Sequence, residues 1–172
     1  MIDLIILTGV SGAGKSTAVR TFEEMDYYIV ENVPFSVIPK LYKAFEDDPV
    51  RYRRTVVVVA IDEALKAAQS ARKNTNFRVT FLALDASEAE LLTRFRLTRH
   101  IHPAQAHGLS LADSLERDRK IMDVLKKDVD MYVDTTGKTA TELRKFIFTN
   151  IQGMESGNLT ISFVSFGFKH GV

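Results

Sequence analysis

The chain has 172 residues, of which 45% are hydrophobic and 26% charged, a balance typical of one globular domain with a full core. Its formal net charge of +1 predicts no general attraction to nucleic acid or to a membrane surface. The lack of cysteine excludes disulfides, thiolate catalysis and cysteine-ligated zinc. No segment approaches the roughly 18 apolar residues of a membrane-spanning helix, and the first residues do not resemble a secretion signal. A cytoplasmic protein without membrane contact is therefore the expectation.

The chain begins with an apolar segment that leads into a glycine-rich loop. Every fixed position of the pattern G-x-x-x-x-G-K-[ST] is occupied, by Gly9, Gly14, Lys15 and Ser16. Such a loop points successive backbone N–H groups at phosphate oxygens, and the helix that follows adds the positive end of its dipole. The pattern predicts that Lys15 reaches the β- and γ-phosphates of a nucleotide and that the Ser16 hydroxyl binds Mg²⁺. The residues predicted to hold the nucleotide are Gly9, Val10, Ser11, Gly12, Ala13, Gly14, Lys15, Ser16 and Thr17.

Strand and helix patterns alternate along the rest of the chain, which is typical of βαβ units and a parallel sheet. Strands are predicted near residues 2–8, 27–31, 55–61, 78–84 and 130–134. Helices are predicted near residues 15–25, 35–47, 62–74, 88–98, 110–127 and 140–151. Capping signals precede three of these helices, namely Ser87 with Glu90, Ser110 with Asp113 and Thr139 with Glu142. We therefore predict an α/β fold, a three-layer P-loop NTPase of the kinase-like type, with a mostly parallel five-stranded sheet flanked by helices.

The end of the chain has a different pattern. Residues 153–158 have the composition of a linker, and residues 159–166 alternate between apolar and polar like a strand. We expect a nucleotide-binding domain over residues 1–152. Residues 153–172 are then a linker and the first strand of a carboxy-terminal domain that is cut short.

Two acidic residues that follow predicted strands are candidates for catalysis. Asp62 follows a β-branched run, where it would hold the Mg²⁺ shell through water or, alternatively, cap the next helix. Glu31 lies at the carboxyl end of a strand, the ligand-binding edge of an open α/β sheet, and would act on Mg²⁺ or orient an attacking water. The alternative for Glu31 is a polar turn before a helix that has Pro34 in its first turn. Residues 134–137 either contribute to a base-binding wall or, as we favour, only turn the chain into the last helix.

A basic segment lies between the fourth and fifth predicted helices and continues onto the fifth. Its members are Arg94, Arg96, Arg99, His100, His102, Arg117, Arg119 and Lys120. In a kinase-like P-loop fold this segment is the lid over the phosphates, where arginine neutralises charge on the transferred phosphoryl group, and solvated surface arginines are the alternative. Arg117 and Arg119 lie about 200° apart on a helix, so at most one is expected to face the site. His100 and His102 have no acidic or cysteine neighbour at metal-binding spacing, and neither is predicted to be a zinc ligand.

These motifs together resemble the RapZ-type RNase adapter proteins, a family of bacterial P-loop nucleotide-binding proteins that includes the YvcJ members. The family's opening T-G-x-S-G-A-G-K-[ST] matches residues 8–16, and its S-F-G-F-K-Y-G matches residues 165–171, with His170 for the tyrosine. Its V-D-N-L-P motif matches residues 30–34, with Glu31 in place of Asp and Val33 in place of Leu.

Further motifs extend the resemblance to the whole chain. The lid motif R-[YF]-x-E-T-R-R-x-H-P matches residues 94–103, where Leu97 replaces an acid and His100 replaces an arginine. The family's strand-ending Asp corresponds to Asp62, and its I-D-T-S matches residues 133–136. The family's E-R-x-x-L helix is matched loosely by residues 115–119.

The resemblance implies a regulatory domain that binds ATP or GTP with Mg²⁺ and hydrolyses it slowly. The residues predicted to take part in catalysis are Lys15, Glu31, Asp62, Arg94 and Arg99. In some members the carboxy-terminal domain binds small regulatory RNA and an amino-sugar phosphate. Partners such as small regulatory RNA and a ribonuclease are therefore expected only through that missing domain.

Two other functions compete with this hypothesis. A small-molecule kinase that transfers the γ-phosphate of ATP to a metabolite has the same fold, loop and lid. RNA binding by the basic lid itself is disfavoured by the near-neutral charge and by the lack of aromatic residues between the arginines. The choice between ATP and GTP and the oligomeric state, homo-oligomers included, stay open.

Overall fold

Five strands form one sheet at the centre of the computed structural model, which describes residues 1–98 and 101–155. The strands are β1 (Ile2–Gly9), β2 (Tyr28–Val30), β3 (Arg54–Val58), β4 (Phe77–Asp85) and β5 (Met131–Asp134). Their order is β2-β3-β1-β4-β5, and all four neighbouring pairs are parallel. The predicted α/β fold with a five-stranded parallel sheet is confirmed. The predicted strand at 159–166 lies outside the described residues.

In residues 1–98 and 101–155, six α-helices flank the sheet. They are α1 (Lys15–Glu24), α2 (Ile38–Asp47), α3 (Ala64–Arg72), α4 (Glu88–Thr98), α5 (Leu111–Leu125) and α6 (Ala140–Glu155). Two short 3₁₀-helices, Phe35–Val37 and Pro103–His107, precede α2 and α5. Helix α1 packs on α6, and α3 packs on α2 and on strands β1 and β4. Within the described ranges no helix has the length and hydropathy needed to cross a bilayer.

The predicted caps form, and three element boundaries differ from the prediction by three residues or more. The hydroxyls of Ser87, Ser110 and Thr139 each accept a backbone N–H three residues on, at 3.1–3.2 Å. Strand β3 ends at Val58, three residues early, because the chain turns over residues 61–63. Helix α2 begins at Ile38 rather than at 35, after the 3₁₀-helix.

Helix α6 also runs further than predicted, through residues 153–155 that the sequence pattern assigns to a linker. Met154 packs against the core, and this burial offsets the low helix propensity of the preceding glycine. The division into domains after residue 152 stays a prediction.

Strand β1 is the centre of the core and positions the loop that follows it. Leu4, Ile6 and Leu7 are fully buried, as expected for a parallel strand covered on both faces. The connection from β1 runs to one edge of the sheet, and the connection from β3 runs to the other side. The crevice at their carboxyl ends is therefore a topological switch point, where open α/β sheets bind ligands.

A buried ionic network joins helix α5 to strands β4 and β5. Asp85, only 2% exposed, accepts two hydrogen bonds from the Arg119 guanidinium, at 2.6 and 2.7 Å, and one from the Tyr132 hydroxyl. The hydrogen bonds to Asp85 raise the pKa of Arg119 above its usual value. Burial, together with the bond to Asp85, raises the pKa of Tyr132. The network fixes α5, and with it the basic residues on that helix, against the sheet.

Replacing Asp85 tests this network. We expect Asp85→Ala to lower the free energy of unfolding by about 3 kcal/mol, because Arg119 and Tyr132 lose their shared acceptor in a largely buried setting. Urea unfolding followed by circular dichroism measures the change. The control is Asp47→Ala, which removes an exposed i,i+4 pair with Lys43 and is expected to cost under about 0.5 kcal/mol. Equal losses in the two variants would contradict the structural role of the network.

Candidate functional site

Side chains donate hydrogen bonds to the carbonyl groups of the loop between β1 and α1. These side chains lie at the start of α1, on α4 and in the turn after β5. The Lys15 amine donates to the carbonyls of Gly9, at 2.8 Å, and Val10, at 3.3 Å. Arg94 on α4 donates to the Gly12 carbonyl at 2.9 Å, and the Thr135 hydroxyl donates to the carbonyl at position 13 at 2.8 Å. These bonds fix the orientation of the peptide groups that carry the carbonyls.

Four of the amide groups in the loop and at the start of α1 lack acceptors. Within the described part of the chain, no protein group accepts the backbone N–H of Gly12, Gly14, Lys15 or Ser16. Helix α1 begins at Lys15 without a side-chain cap, so the positive end of its dipole faces the same point. Consecutive free amides at a helix N-terminus form an anion site, and the spacing and helix of the predicted phosphate loop are present.

Two glycines of the loop have geometric reasons to be glycine. A Cβ on Gly9 would lie 2.6 Å from the Leu84 carbonyl oxygen, because β1 and β4 pair closely there. Gly14 has φ of 112° and caps α1 in the left-handed region, which side chains disfavour. The loop therefore depends on these positions for its shape and not only for access by a ligand.

Lys15 is held in an enclosed position before any ligand is present. Burial lowers the pKa of its amine to about 8, and the nearby Asp118 carboxylate offsets part of this effect. A phosphate group beside the amine would favour its charged form. An anion bound in the loop would therefore stabilise the charged form of the Lys15 amine.

Among the described residues, three hollows adjoin the loop and differ in their chemistry. The α4 hollow, of about 400 Å³, lies between the loop and α4 and is lined by Ser11, Lys15, Ser16, Arg94 and Phe95, among others. The α5 cleft, of about 800 Å³, is lined by Ser11, Lys15, Asn32, Asp62, Arg117 and Asp118, among others. The α6 hollow, of about 200 Å³, is lined by Thr17, Arg94, Thr135, Lys138 and Leu143, among others. Ser11 and Lys15 line both larger hollows, which therefore meet at the loop.

Asp62 lies in the α5 cleft with a different partner from the one predicted. Its carboxylate accepts a hydrogen bond from Arg117 at 3.1 Å, and its side chain is about half exposed. The capping alternative is wrong, because the residue before α3 is Glu63, whose side chain does not cap the helix. The role of Asp62 at Mg²⁺ stays a prediction.

The turn after β2 contributes to the α5 cleft mainly through residues 32–34. Asn32, Val33 and Pro34 line the cleft, whereas Glu31 is exposed and is not among its lining residues in the described structure. Asn32 has φ of 59°, so the chain turns sharply there. Pro34 precedes a 3₁₀-helix and lies outside α2. A catalytic role for Glu31 stays a prediction, and the structure does not bring its side chain to the cleft.

The basic residues separate into different environments. Arg94 donates to Gly12, to Thr135 at 2.7 and 3.1 Å, and to Glu90 at 3.1 Å, so it joins the loop to the turn after β5. Arg117 faces the α5 cleft while Arg119 bonds Asp85, as their angular separation predicts. Arg99 and His100 lie outside the described residues.

Two buried residues at the site were not predicted. Asp118, 1% exposed, accepts a hydrogen bond from the backbone N–H of Ser11 at 3.1 Å, and its carboxylate lies 2.7 Å from Nε2 of His102, which is 2% exposed. Metal-binding spacing in the sequence does not reveal this neighbour of His102, because Asp118 lies 16 residues further along the chain. That His102 is not a zinc ligand stays a prediction. The only local signal was Asp118 on the apolar side of α5, next to the buried Ser114 and Met122.

The position of Arg94 yields a test that needs no ligand. We expect Arg94→Ala to lower the free energy of unfolding by about 2 kcal/mol, because the Gly12 and Thr135 carbonyls lose their donor. The matched control is Arg96→Ala, an exposed arginine on the same helix, with an expected change under about 0.5 kcal/mol. An Arg94 that acted only on a bound phosphate would leave the stability of the ligand-free protein unchanged.

The fold and the loop define this chain as a protein of the P-loop kinase-like class. Its fold matches a sugar kinase from Janibacter sp. HTCC2649 with a TM-score of 0.61 at 15% identity, covering 88% of this chain and 95% of that one. It also matches a gluconokinase from Sinorhizobium meliloti 1021 with a TM-score of 0.57 at 19% identity, covering 90% and 94%. At these identities the likeness concerns the fold alone.

The chain belongs to the RapZ-like N-terminal domain family, whose profile matches residues 2–155. It is 35% identical over 175 residues to a protein of Thermotoga neapolitana named nucleotide-binding protein, covering 100% of this chain and 61% of that one. It is 33% identical over 171 residues to the RNase adapter protein RapZ of Klebsiella oxytoca, covering 98% and 60%. The chain thus spans about three fifths of the length of the curated relatives it matches.

Proposed function

We propose that this chain binds a nucleoside triphosphate, ATP or GTP, and hydrolyses it slowly with Mg²⁺, as the regulatory part of an RNase-adapter-like protein. The observation that carries the proposal is the run of unaccepted amides at the start of α1, with the Lys15 amine beside it. A relative whose printed name is nucleotide-binding protein supports it, because the alignment with that relative covers the whole chain.

Each predicted catalytic residue has a defined part in this proposal. Lys15 exchanges its two carbonyl partners for phosphate oxygens, and Arg94 holds the loop open at the Gly12 carbonyl. Ser16, which lines the α4 hollow, and Asp62, which lines the α5 cleft, would hold Mg²⁺ through oxygen atoms, the ligands that this ion prefers. An ion held there would neutralise charge on the β- and γ-phosphates. Glu31 and Arg99 complete the proposed set, as a residue that orients water and as a lid arginine.

The remaining partners belong to the longer protein. A small regulatory RNA and a ribonuclease would engage through the part of the relatives that lies outside their match to this chain. The Klebsiella oxytoca relative is named an RNase adapter protein. The domain described here would report nucleotide occupancy to that region, alone or as a homo-oligomer. A cytoplasmic location is part of the same proposal.

A small-molecule kinase is the second candidate, and the α5 cleft favours it. The cleft of about 800 Å³ opens beside Lys15 and is lined by polar side chains that include Asn32, Asp62 and Arg117. A phosphoryl acceptor there would approach the terminal phosphate from the side opposite the nucleotide. Asp62 would then take the proton of the acceptor hydroxyl.

Replacing Lys15 tests nucleotide binding directly. We expect Lys15→Ala to weaken the binding of Mg-ATP and Mg-GTP by about 100-fold, because a charge-assisted bond to the phosphates is lost. Titration calorimetry measures binding, and release of inorganic phosphate without an acceptor measures hydrolysis. The control is Lys43→Ala, an exposed lysine on α2.

The two readouts separate the candidate functions. Slow phosphate release that disappears in Lys15→Ala supports the NTPase. Binding without release favours a reaction that needs an acceptor or the rest of the longer protein. Unchanged binding in Lys15→Ala would contradict both.

The pH dependence of binding follows from the lowered pKa of Lys15. In the free protein this pKa is about 8, and bound phosphates raise it, so the triphosphate binds the charged amine. We expect the affinity for Mg-ATP to be constant below pH 7 and to fall above pH 8, by up to tenfold per pH unit. Dissociation constants measured at pH 6.5, 8 and 9 test this. The residual binding of Lys15→Ala should lack this fall, and an affinity that rises above pH 8 would refute the assignment.

A further inference from the structure

We propose that Asp118 distinguishes a nucleoside triphosphate from a diphosphate. Its carboxylate holds the Ser11 amide and His102 while the position of the terminal phosphate is empty, and it is displaced when that position is filled. The inference rests on the proposed nucleotide binding and adds to it a residue that sets specificity. No motif in the sequence assigns this role to Asp118.

The contacts of Asp118 converge on one oxygen. Its Oδ2 accepts the Ser11 N–H at 3.1 Å and lies 2.7 Å from Nε2 of His102. Nδ1 of His102 accepts the backbone N–H of Ala104 at 2.9 Å. The imidazole therefore carries its proton on Nε2 and donates it to Asp118, and it is neutral.

The buried pair consequently has a net negative charge directly beside the loop. Both side chains are at most 2% exposed, so water screens this charge weakly. The cations nearby are Lys15 and Arg117, whose guanidinium lies 4.0 Å from Oδ1 of Asp118 and is also bonded to Asp62. The two cations are matched by the carboxylates of Asp62 and Asp118, so a terminal phosphate beside Asp118 would add negative charge that these groups do not balance.

The position of Ser11 identifies the phosphate that Asp118 opposes. Ser11 and Lys15 line both the α4 hollow and the α5 cleft, and the lysine of such a loop reaches the β- and γ-phosphates. The terminal phosphate is therefore expected where the two hollows meet, beside the Ser11 amide. A phosphate oxygen and the Asp118 carboxylate would compete for this N–H and repel each other. A diphosphate leaves the contact intact.

Displacement of Asp118 would also change the stability of the 3₁₀-helix before α5. The His102 side chain caps the 3₁₀-helix Pro103–His107, and the Gln105 side chain accepts the His102 backbone N–H at 2.8 Å. This helix forms part of the wall of the α5 cleft through Pro103, Ala104 and His107. Loss of the bond from His102 to Asp118 would loosen the helix, so the cleft would respond to the third phosphate.

The variant Asp118→Asn removes the charge with little change of shape. Because both bonds go to Oδ2, an amide oxygen at that position can accept both. We expect binding of the β,γ-imido analogue of ATP to tighten about tenfold and binding of ADP to change less than about twofold. The control Asp123→Asn makes the same change of charge at an exposed position on α5 and should alter neither affinity.

Hydrogen exchange gives a second readout. In the wild-type protein the imido analogue should speed exchange at the amides of Gln105 and Gly108, which close the 3₁₀-helix, and ADP should not. In His102→Phe, exchange should be fast with either nucleotide, because the link to Asp118 is absent.

The outcomes distinguish this inference from the proposed function. In Asp118→Asn, the affinities for the imido analogue and for ADP could change equally, or both could become weaker. Either result would show that Asp118 only stabilises the conformation of the loop. Identical exchange with the two nucleotides in the wild type would overturn the link to the 3₁₀-helix. Failure of the proposed function gives a different result. In that case the wild-type protein would bind neither nucleotide, or it would bind both with the same affinity as Lys15→Ala.

Discussion

The orientation of the peptide groups in the loop after β1 is the constraint on which the site depends. Four loop carbonyls are bound by Lys15, Arg94 and Thr135, while the amides of residues 12 and 14–16 have no protein acceptor among the described residues. These donors come from the loop's own helix, from α4 and from the turn after β5. Three parts of the fold must therefore be in place before the loop can present its amides. This dependence explains why Arg94, a residue of the basic lid pattern, is held against the backbone in the ligand-free protein.

Local sequence patterns predict most of the fold because they reflect interactions between residues that are close together in the sequence. The β-branched and apolar runs predict the strands, and the hydroxyls of Ser87, Ser110 and Thr139 mark helix starts since their bonds reach only three residues along the chain. The boundary at Glu155 depends instead on a tertiary contact, the packing of Met154. Strand β3 ends early at Val58 because the apolar run continues into a turn over residues 61–63. The phosphate loop is predictable for the same local reason, because its glycines, lysine and serine lie within one turn and the start of one helix.

The contacts that the sequence does not predict are ion pairs and hydrogen bonds between distant elements. Asp85 and Arg119 are 34 residues apart, and Asp118 and Ser11 are 107 residues apart. Composition along α5 shows arginines and aspartates next to each other and gives no indication of which meet across the fold. The partner of Asp62 could not be predicted for the same reason, because Arg117 lies on the distant helix α5. Helix α5 is thus the element through which the sheet, the α5 cleft and the loop are connected.

Two different anions can therefore bind the loop amides, the Asp118 carboxylate and a phosphate group of the nucleotide. Asp118 is covalently fixed, buried and always present, whereas a phosphate comes from solution and brings more charge. The affinity of the loop for a nucleotide is therefore the difference between its attraction to the phosphates and its existing bond to Asp118. Under the proposed displacement of Asp118, this difference would weaken binding and would make the structure around His102 depend on the number of phosphates bound. Such a dependence suits a domain that reports nucleotide state better than one selected only for tight binding.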